Sequence, residues 1–252
     1  MSQSLDGKTA VVTGASSGIG AATAEAFARN GANVVVAARR EERLEALRTD
    51  LEAAYDAAVE VVPTDVTDED AVDTLVAAAA ERFDSIDVLV NNAGVAAGSD
   101  IEAMATEEYR QMMSVNCDGM FFATRAAIPH LRESEGTLVF IGSFAGQYPR
   151  PFNPVYAASK WWTRGFAKSV SAQVGDDFAV TTINPAAVRT EFTVEGSGDL
   201  DGDGTFEERF APGEAVEPEE VADAVVFAAK QSPSMVSELD LYDRDKLTLL
   251  DG

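Results

Sequence analysis

The stretch Thr13-Gly14-Ala15-Ser16-Ser17-Gly18-Ile19-Gly20 decides the fold. It follows a short apolar run at residues 9–12 and leads into a helical pattern at residues 18–29. Glycines at such a junction let the backbone turn sharply and approach a ligand, while the amide groups at the helix start bind anionic oxygens. The spacing also fits a simple tight turn. Its position in the first βα unit favours a nucleotide phosphate site.

Outward from this turn, short β-branched runs alternate with longer helical stretches, which is typical of βαβ units around a parallel sheet. Strands are predicted at residues 9–12, 33–37, 59–62, 88–90, 138–141, 180–183 and 239–242. Helices are predicted at residues 18–29, 41–54, 69–82, 106–131, 155–174 and 218–230. The pattern predicts one Rossmann-type α/β domain over residues 1–252. Its seven-stranded, mostly parallel, doubly wound sheet carries helices on both faces.

Residues 191–213 depart from this alternation, because they are rich in Gly and Asp and show no clear period. Long segments of this kind are often lids or binding loops, so we expect a mobile substrate loop. Asp199, Asp201 and Asp203 resemble the beginning of a calcium loop, but Phe210 stands where a bidentate Glu is needed. No metal site is therefore predicted.

The charge balance narrows the classes of partner. The chain has 43 acidic and 19 basic residues and a net charge of −24, which argues against nucleic acid and anionic membranes. It shows no signal peptide pattern and no apolar run of transmembrane length. Cys117 is the only cysteine, which fits a reducing compartment. We expect a cytoplasmic protein.

Several further motifs follow the glycine turn in a fixed order. They are Asp65-Val66, Asn91-Asn92-Ala93-Gly94, Ser143 and Tyr156-Ala157-Ala158-Ser159-Lys160. With the T-G-x-x-x-G-x-G turn, this order resembles the short-chain dehydrogenase/reductase family over nearly the whole chain. The resemblance implies an oxidoreductase that uses a nicotinamide dinucleotide.

The resemblance also implies a set of cofactor-binding residues. Asp65 and Val66 are expected at the adenine, and Ala186 replaces a glycine that is usual in the family. The full expected set is Gly14, Ser16, Ser17, Gly18, Ile19, Gly20, Arg39, Arg40, Asp65, Val66, Asn92, Ala93, Gly94, Tyr156, Lys160, Pro185, Val188 and Thr190.

The end of the second strand bears on the choice of nucleotide. A carboxylate there would bind the ribose hydroxyls of NAD, whereas arginine pairs with the extra phosphate of NADP. This chain has Arg39 and Arg40 and no acid at that point. NADP(H) is therefore predicted over NAD(H), although a pair of solvated arginines would leave the same pattern.

Hydride transfer to a carbonyl builds negative charge on oxygen, so the site needs a proton donor and a hydrogen bond to that oxygen. Tyr156 and Lys160 are four residues apart and share one helix face, where the lysine charge is expected to lower the pKa of the tyrosine. By resemblance, Ser143 bonds the substrate oxygen and Asn116 supports a proton relay to Lys160. These four are the predicted catalytic residues.

A small carbonyl or alcohol compound is the expected substrate. Apolar side chains favour an apolar or aromatic compound, and the predicted pocket consists of Ser143, Phe144, Phe152, Ala186 and Phe192, with Tyr148 nearby. The C-terminal segment resembles the branch of NADP-dependent 3-hydroxy acid dehydrogenases. The alternatives are 3-oxoacyl-acyl-carrier-protein reductases, glucose dehydrogenases and a non-catalytic NADP-sensing protein. The family resemblance also implies a homodimer or homotetramer.

The acidic, lysine-poor composition resembles that of proteins from salt-loving organisms, in which concentrated salt screens self-repulsion. We therefore expect both activity and the free energy of unfolding to be higher in molar KCl than in dilute buffer. Parallel denaturant titrations and rate assays in the two solutions test this. Equal activity and stability would contradict it.

Overall fold

The computed structural model describes residues 3–96, 100–192 and 204–244. Its centre is one seven-stranded sheet in the order β3-β2-β1-β4-β5-β6-β7, and every pair of neighbouring strands is parallel. The strands are β1 Thr9–Thr13, β2 Asn33–Ala38, β3 Val59–Pro63, β4 Val88–Asn91, β5 Thr137–Ile141, β6 Ala179–Pro185 and β7 Glu238–Leu241.

Helices connect the strands and cover both faces of the sheet. They are α1 Gly18–Arg29, α2 Glu41–Ala54, α3 Glu69–Phe83, α4 Thr106–Met113, α5 Gly119–Ser134, α6 Pro154–Val174, α7 Phe206–Arg209 and α8 Pro218–Ala229. A five-residue π-helical turn, Ser114–Asp118, joins α4 to α5, and a 3₁₀ turn, Phe144–Gly146, follows β5. None of the helices in the described ranges combines the length and apolar character needed to cross a membrane.

Alternate residues of the central strands supply two separate cores. In β1, Ala10 and Val12 pack on the face covered by α1, α2 and α8, whereas Val11 packs on the face covered by α3, α5 and α6. The same alternation holds in β2, and almost all of these side chains are fully buried. Burial on both faces explains why the strands are apolar runs without a polar alternation.

The strand order reverses between β1 and β4, because the chain crosses from β3 at one edge to the middle of the sheet. Connections leave β1 and β4 in opposite directions, so a crevice opens at their carboxyl ends. Thr13 and Asn92 hold the two strand ends together. The Oγ1 of Thr13 donates to the carbonyl of Val90 and accepts from the amide of Asn92, at 3.1 and 3.0 Å.

The predicted mostly parallel, seven-stranded sheet is confirmed, and all of its neighbouring strands pair in parallel. The predicted helices are confirmed with two corrections. The helix predicted at residues 106–131 is interrupted by the π-helical turn and extends to Ser134. The segment 191–213 was expected to lack regular structure, but Thr205 and Glu208 cap the short helix α7 within it. Residues 193–203, including Asp199, Asp201 and Asp203, lie outside the described residues.

Candidate active site

A cavity of about 920 Å³ occupies the crevice at the carboxyl ends of the strands. All of the predicted cofactor-binding and substrate-pocket residues line it except Gly20. These residues come from segments spread over most of the sequence, and the parallel sheet brings them together at the carboxyl ends of its strands. The cavity therefore unites the residues that the sequence motifs had singled out.

The glycine turn forms one wall of this cavity by close packing of backbone. Gly14 has a φ of +67°, and a Cβ there would lie 2.9 Å from Cα of Ala93. A Cβ on Gly20 would collide with the carbonyl oxygen of Gly14 and approach Nδ2 of Asn92 to 2.6 Å. Gly20 thus acts by letting α1 start close to β1, and it does not line the cavity. Only glycine fits these two positions.

Arginines converge at the end of the cavity near β2. The guanidinium of Arg40 donates to Oγ of Ser16 at 2.8 Å and to Oγ of Ser17 at 2.7 Å. Glu191 lies 3.5 Å from Arg40 and accepts a 2.6 Å hydrogen bond from Arg43. These contacts hold the pKa of Glu191 below its ordinary value. Arg43 and Glu191 were not predicted, because their proximity arises from two distant segments of the chain.

Arg39 lines the same end of the cavity and is exposed. Asp65 also lines the cavity and accepts hydrogen bonds from the amide and the hydroxyl of Thr67. These bonds, together with the charge of Arg39, hold the pKa of Asp65 below its ordinary value despite partial burial. Arg39 and Asp65, which were both predicted to bind the cofactor, thus lie at the same end of the cavity as Arg40.

The loop after β5 and the first turn of α6 bring Ser143 and Tyr156 together. Ser143 caps the 3₁₀ turn by accepting from the amide of Ala145 at 3.1 Å, and its side chain is close enough to the hydroxyl of Tyr156 to act on the pKa of that group. Asn153 caps α6 by accepting from the amide of Tyr156 at 3.3 Å, and Pro154 follows at the first helical position. Asn at the N-cap and Pro at the first helical position both favour the start of a helix.

Lys160 lies one turn further along α6 and is 5 % exposed. Its Nζ donates to the carbonyl oxygen of Ile141, at the end of β5, over 3.0 Å. Burial disfavours the ammonium form and lowers the pKa of Lys160 to about 8. The same Nζ is 5.9 Å from the centre of the Tyr156 ring.

The expected lowering of the Tyr156 pKa by Lys160 is wrong for this structure. Burial raises that pKa above its ordinary value, and the hydrogen bond with Ser143 and the charge of Arg150 offset the rise only in part. Lys160 is not among the causes of this shift, and its Nζ donates to the carbonyl of Ile141. The phenol of Tyr156 is therefore protonated at neutral pH in this state.

Asn116 is fully buried in the π-helical turn and does not line the cavity. Its amide pairs with the backbone of Val95 in both directions at 2.9 Å and donates to Oγ of Ser159 at 3.0 Å. Such turns are frequent at functional sites because they redirect a side chain. Asn116 thereby joins the turn after β4 to α6.

Aromatic side chains enclose the remaining part of the cavity. Phe144 stacks on Tyr148 with ring centres 4.4 Å apart, and Phe192 lies 6.2 Å from Tyr156 and 6.3 Å from Phe206. Tyr148 supports Phe144 from outside, since it does not line the cavity. Phe206 and Phe210 were not predicted as lining residues, because no period marked α7 in the sequence.

Ala186 continues the ladder between the last two strands. Its amide donates to the carbonyl of Leu241 at 2.9 Å, and the residue lines the cavity. The methyl group of Ala186 therefore lies at the carboxyl end of β6, where a hydrogen bond to β7 holds the backbone. The preceding Pro185 is the last residue of β6.

Two further cavity residues were not predicted. Arg150 and Asn153 lie between Ser143 and Tyr156, and both line the cavity. A signal for Asn153 was present, since Asn before Pro commonly begins a helix. Nothing in the local sequence distinguished Arg150 from a solvated arginine.

Comparison with known proteins places this arrangement in context. A family model described as "short chain dehydrogenase" matches residues 8–200. A trans-4-hydroxycyclohexanecarboxylate dehydrogenase from Sinomonas cyclohexanicum is 31% identical over 240 residues, which are 93% of this chain and 90% of that protein.

Two solved structures are similar over almost their whole length. An alcohol dehydrogenase from the archaeon Thermococcus sibiricus, complexed with 5-hydroxy-NADP, has a TM-score of 0.85 and 29% identity, covering 94% of this chain and 97% of that one. A 3-ketoacyl-(acyl-carrier-protein) reductase from Brucella melitensis, complexed with NADH, has a TM-score of 0.82 and 30% identity, with the same coverage. One of these two structures thus contains an NADP derivative, and the other contains NADH.

The burial of Lys160 has a measurable effect on stability. Because its pKa falls from 10.5 to about 8 on folding, the unfolded chain binds more protons between these pH values. By linkage, the cost of burying the charged Lys160 is fully present below this window, and stability rises with pH across the window as that cost is removed. We expect the unfolding free energy of the natural protein, relative to Lys160→Met, to increase by about 3 kcal/mol from pH 7 to pH 10.5.

Denaturant titrations of both proteins at several pH values measure this difference. Lys168→Met, which removes an exposed lysine from the same helix, is the matched control. A difference between the natural protein and Lys160→Met that stays constant with pH would contradict the prediction.

Proposed function

Because the chain belongs to the short-chain dehydrogenase/reductase family, whose members are NAD(P)-dependent oxidoreductases, we propose that it prefers NADP(H) and uses Tyr156 as its general acid and base. Its substrate is a small carbonyl compound or secondary alcohol. The observation that carries the proposal is that Ser143, Tyr156 and the buried Lys160 line the same cavity, with Lys160 one helical turn from Tyr156.

The cavity fits a dinucleotide on structural grounds. Its wall at the glycine turn lacks side chains where Cβ atoms would collide, and the amides at the start of α1 are available to anionic oxygens. Asp65 and Val66 would hold the adenine end, and Pro185, Val188 and Thr190 the nicotinamide end. When bound, the nicotinamide supplies or accepts the hydride.

In the direction of reduction, Ser143 donates a hydrogen bond to the carbonyl oxygen and polarises it. Tyr156 then gives its proton to that oxygen as charge develops there, which leaves an alcohol and a phenolate. Oxidation runs the same transfer in reverse, with the phenolate accepting the hydroxyl proton.

Lys160 and Asn116 would support this proton transfer to and from Tyr156. The ammonium of Lys160 would bind the nicotinamide ribose. Its pKa of about 8 lets it exchange a proton near neutral pH. Asn116 holds the turn after β4 and Ser159 in place, and would order a relay that returns the proton to Lys160.

The preference for NADP(H) is supported by the charges near β2. Arg39 and Arg40 line the cavity there, and Arg40 already bonds the hydroxyls of Ser16 and Ser17. Guanidinium and hydroxyl donors together suit the extra phosphate of NADP. The archaeal alcohol dehydrogenase with 5-hydroxy-NADP is consistent with this, and the reductase with NADH keeps NAD(H) as the alternative.

We also propose a homodimer or homotetramer. On α5 and α6, Phe121 is 40% exposed and Trp161 is 48% exposed, and a large apolar side chain at the surface is a common feature of interfaces. Neighbouring Phe122, Trp162 and Phe166 pack under them. Sedimentation of the purified protein would give the oligomeric state.

The role of Tyr156 is tested by Tyr156→Phe, which removes only the hydroxyl. We expect kcat to fall by about 10³-fold or more while NADPH still binds, because general acid catalysis contributes roughly 10² to 10⁴. Tyr109→Phe, at an exposed tyrosine of α4, is the matched control. Steady-state rates and NADPH fluorescence titrations measure the two effects. Unchanged turnover would favour the non-catalytic sensing alternative.

The nucleotide preference is tested by Arg39→Asp and Arg40→Asp. We expect either change to weaken NADPH by about 10-fold to 100-fold, since a charge-assisted hydrogen bond is worth roughly 1.5 to 3 kcal/mol. NADH, which lacks the phosphate, should lose much less. Arg48→Asp makes the same charge change on α2 outside the cavity. Equal losses for both nucleotides would reject the assignment.

A further inference from the structure

Glu191 brings a carboxylate to the arginines at the nucleotide end of the cavity. Its Oε2 accepts a 2.6 Å hydrogen bond from Nη1 of Arg43 and lies 3.5 Å from Nη1 of Arg40. The hydrogen bond from Arg43 and the charges of both arginines hold the pKa of Glu191 below its ordinary value, so the carboxylate is ionised at neutral pH. A negative charge thus lies beside an arginine that is assigned to the extra phosphate of NADP(H).

Every nitrogen of the Arg40 guanidinium already faces an oxygen atom of the protein. Nε and Nη2 donate to Oγ of Ser16 at 3.0 and 2.8 Å, and Nη2 also donates to Oγ of Ser17 at 2.7 Å. Nη1 faces Glu191. A serine hydroxyl can rotate and donate to a phosphate, whereas an ionised carboxylate only accepts hydrogen bonds and repels a phosphate. Among these partners of Arg40, Glu191 is therefore the one that opposes a phosphate.

We propose that Glu191 is a specificity-determining residue, which competes with the extra phosphate of NADP(H) for Arg40 and so limits the preference for NADP(H) over NAD(H). The inference rests on the proposed function, because that phosphate must lie at Arg40. A carboxylate at the end of the second strand is the usual means of favouring NAD(H). Here β2 is followed by arginines, and the carboxylate comes from a distant segment of the chain.

Arg43 gives Glu191 a second partner when a phosphate binds Arg40. Glu191 lines both the nucleotide cavity and a neighbouring pocket of about 460 Å³, whereas Arg43 lines only the neighbouring pocket. Its contact with Glu191, at 2.6 Å, is also the shorter of the two arginine contacts. A phosphate can therefore replace Glu191 at Arg40 without leaving the carboxylate unpaired. Arg43 is a positioning residue in this competition.

The backbone on both sides of Glu191 is held without the help of its side chain. The amide of Glu207 donates to the carbonyl of Thr190 at 3.0 Å, and the amide of Phe206 donates to the carbonyl of Phe192 at 3.3 Å. Oγ1 of Thr190 also accepts from the amide of Phe192 at 3.2 Å. Glutamine has the shape of glutamate, so Glu191→Gln removes the charge and leaves this backbone in place.

The test measures the dissociation constants of NADPH and NADH by fluorescence titration in the natural protein and in Glu191→Gln. We expect NADPH to bind about 3-fold to 10-fold more tightly to the variant, because the repulsion acts between half-exposed groups and the phosphate carries up to two charges. NADH has no extra phosphate to repel, so its affinity should stay within about 2-fold. Glu69→Gln, which removes a carboxylate that pairs with Arg125 outside the cavity, is the matched control and should change neither constant.

The ratio of the two constants separates competition from other roles of Glu191. If Glu191 served only to hold its segment against α2, Glu191→Gln would weaken both nucleotides equally and the ratio would stay constant. A constant ratio would overturn the proposal. The fragments 2′,5′-ADP and 5′-AMP differ only in the extra phosphate, and we expect the variant to bind the first more tightly and the second unchanged. Equal changes for the two fragments would also overturn it.

Arg43→Met tests the second partner of Glu191. We expect this variant to weaken NADPH by about 2-fold to 5-fold, because Glu191 then pairs with Arg40 alone. The loss should shrink when Arg43→Met is combined with Glu191→Gln, since the carboxylate that Arg43 draws away is then absent. A loss of equal size in both backgrounds would overturn the positioning role of Arg43.

These titrations need no turnover, so failure of this inference is distinguishable from failure of the proposed function. If Arg40→Asp weakens NADPH selectively but Glu191→Gln does not tighten it, the nucleotide assignment stands and the competition is overturned. If the natural protein binds both nucleotides equally and Glu191→Gln creates a preference for NADPH, the competition is supported and the proposed preference is not. Absence of binding of either nucleotide would overturn both.

Discussion

The hydrogen bonds that join the ends of β1 and β4 are the constraint on which the rest of the site depends. Nδ2 of Asn92 donates to the carbonyls of Thr13 and Gly14, at 2.9 and 3.2 Å, and Oγ1 of Thr13 accepts from the amide of Asn92. These bonds hold open the crevice where the strand order reverses. They also explain why positions 14 and 20 require glycine. A Cβ at either position would come too close to Nδ2 of Asn92.

Burial sets the acid-base properties of the site. Desolvation raises the pKa of the Tyr156 phenol and lowers that of the Lys160 amine, whose Nζ lies 5.9 Å from the centre of the Tyr156 ring. Both shifts favour the neutral forms, but a pKa of about 8 leaves Lys160 mostly protonated at neutral pH. The two shifts move the pKa values of Tyr156 and Lys160 apart.

Acidic and basic side chains are nearly balanced in the lining of the cavity, in contrast to the acidic excess of the whole chain. The chain as a whole is strongly acidic, but the cavity concentrates arginines at two places, near β2 and beside Phe152. Long-range repulsion falls with added salt, whereas contacts at hydrogen-bond distance persist. A protein of this charge can therefore bind a phosphorylated nucleotide, provided that the guanidinium groups meet it directly.

The sequence by itself determined the order of strands and helices, because period and turn residues are local properties of the chain. It also determined the glycine turn and the pair of Tyr156 and Lys160, which lie close together in sequence. Only the tertiary structure decided the contacts between distant segments: Glu191 with Arg43, Asn116 with Val95 and Ser159, and Phe206 with Phe192. It also decided the pKa of Tyr156, since burial depends on every element around a side chain, and the nearby charge of Lys160 alone led to the wrong sign.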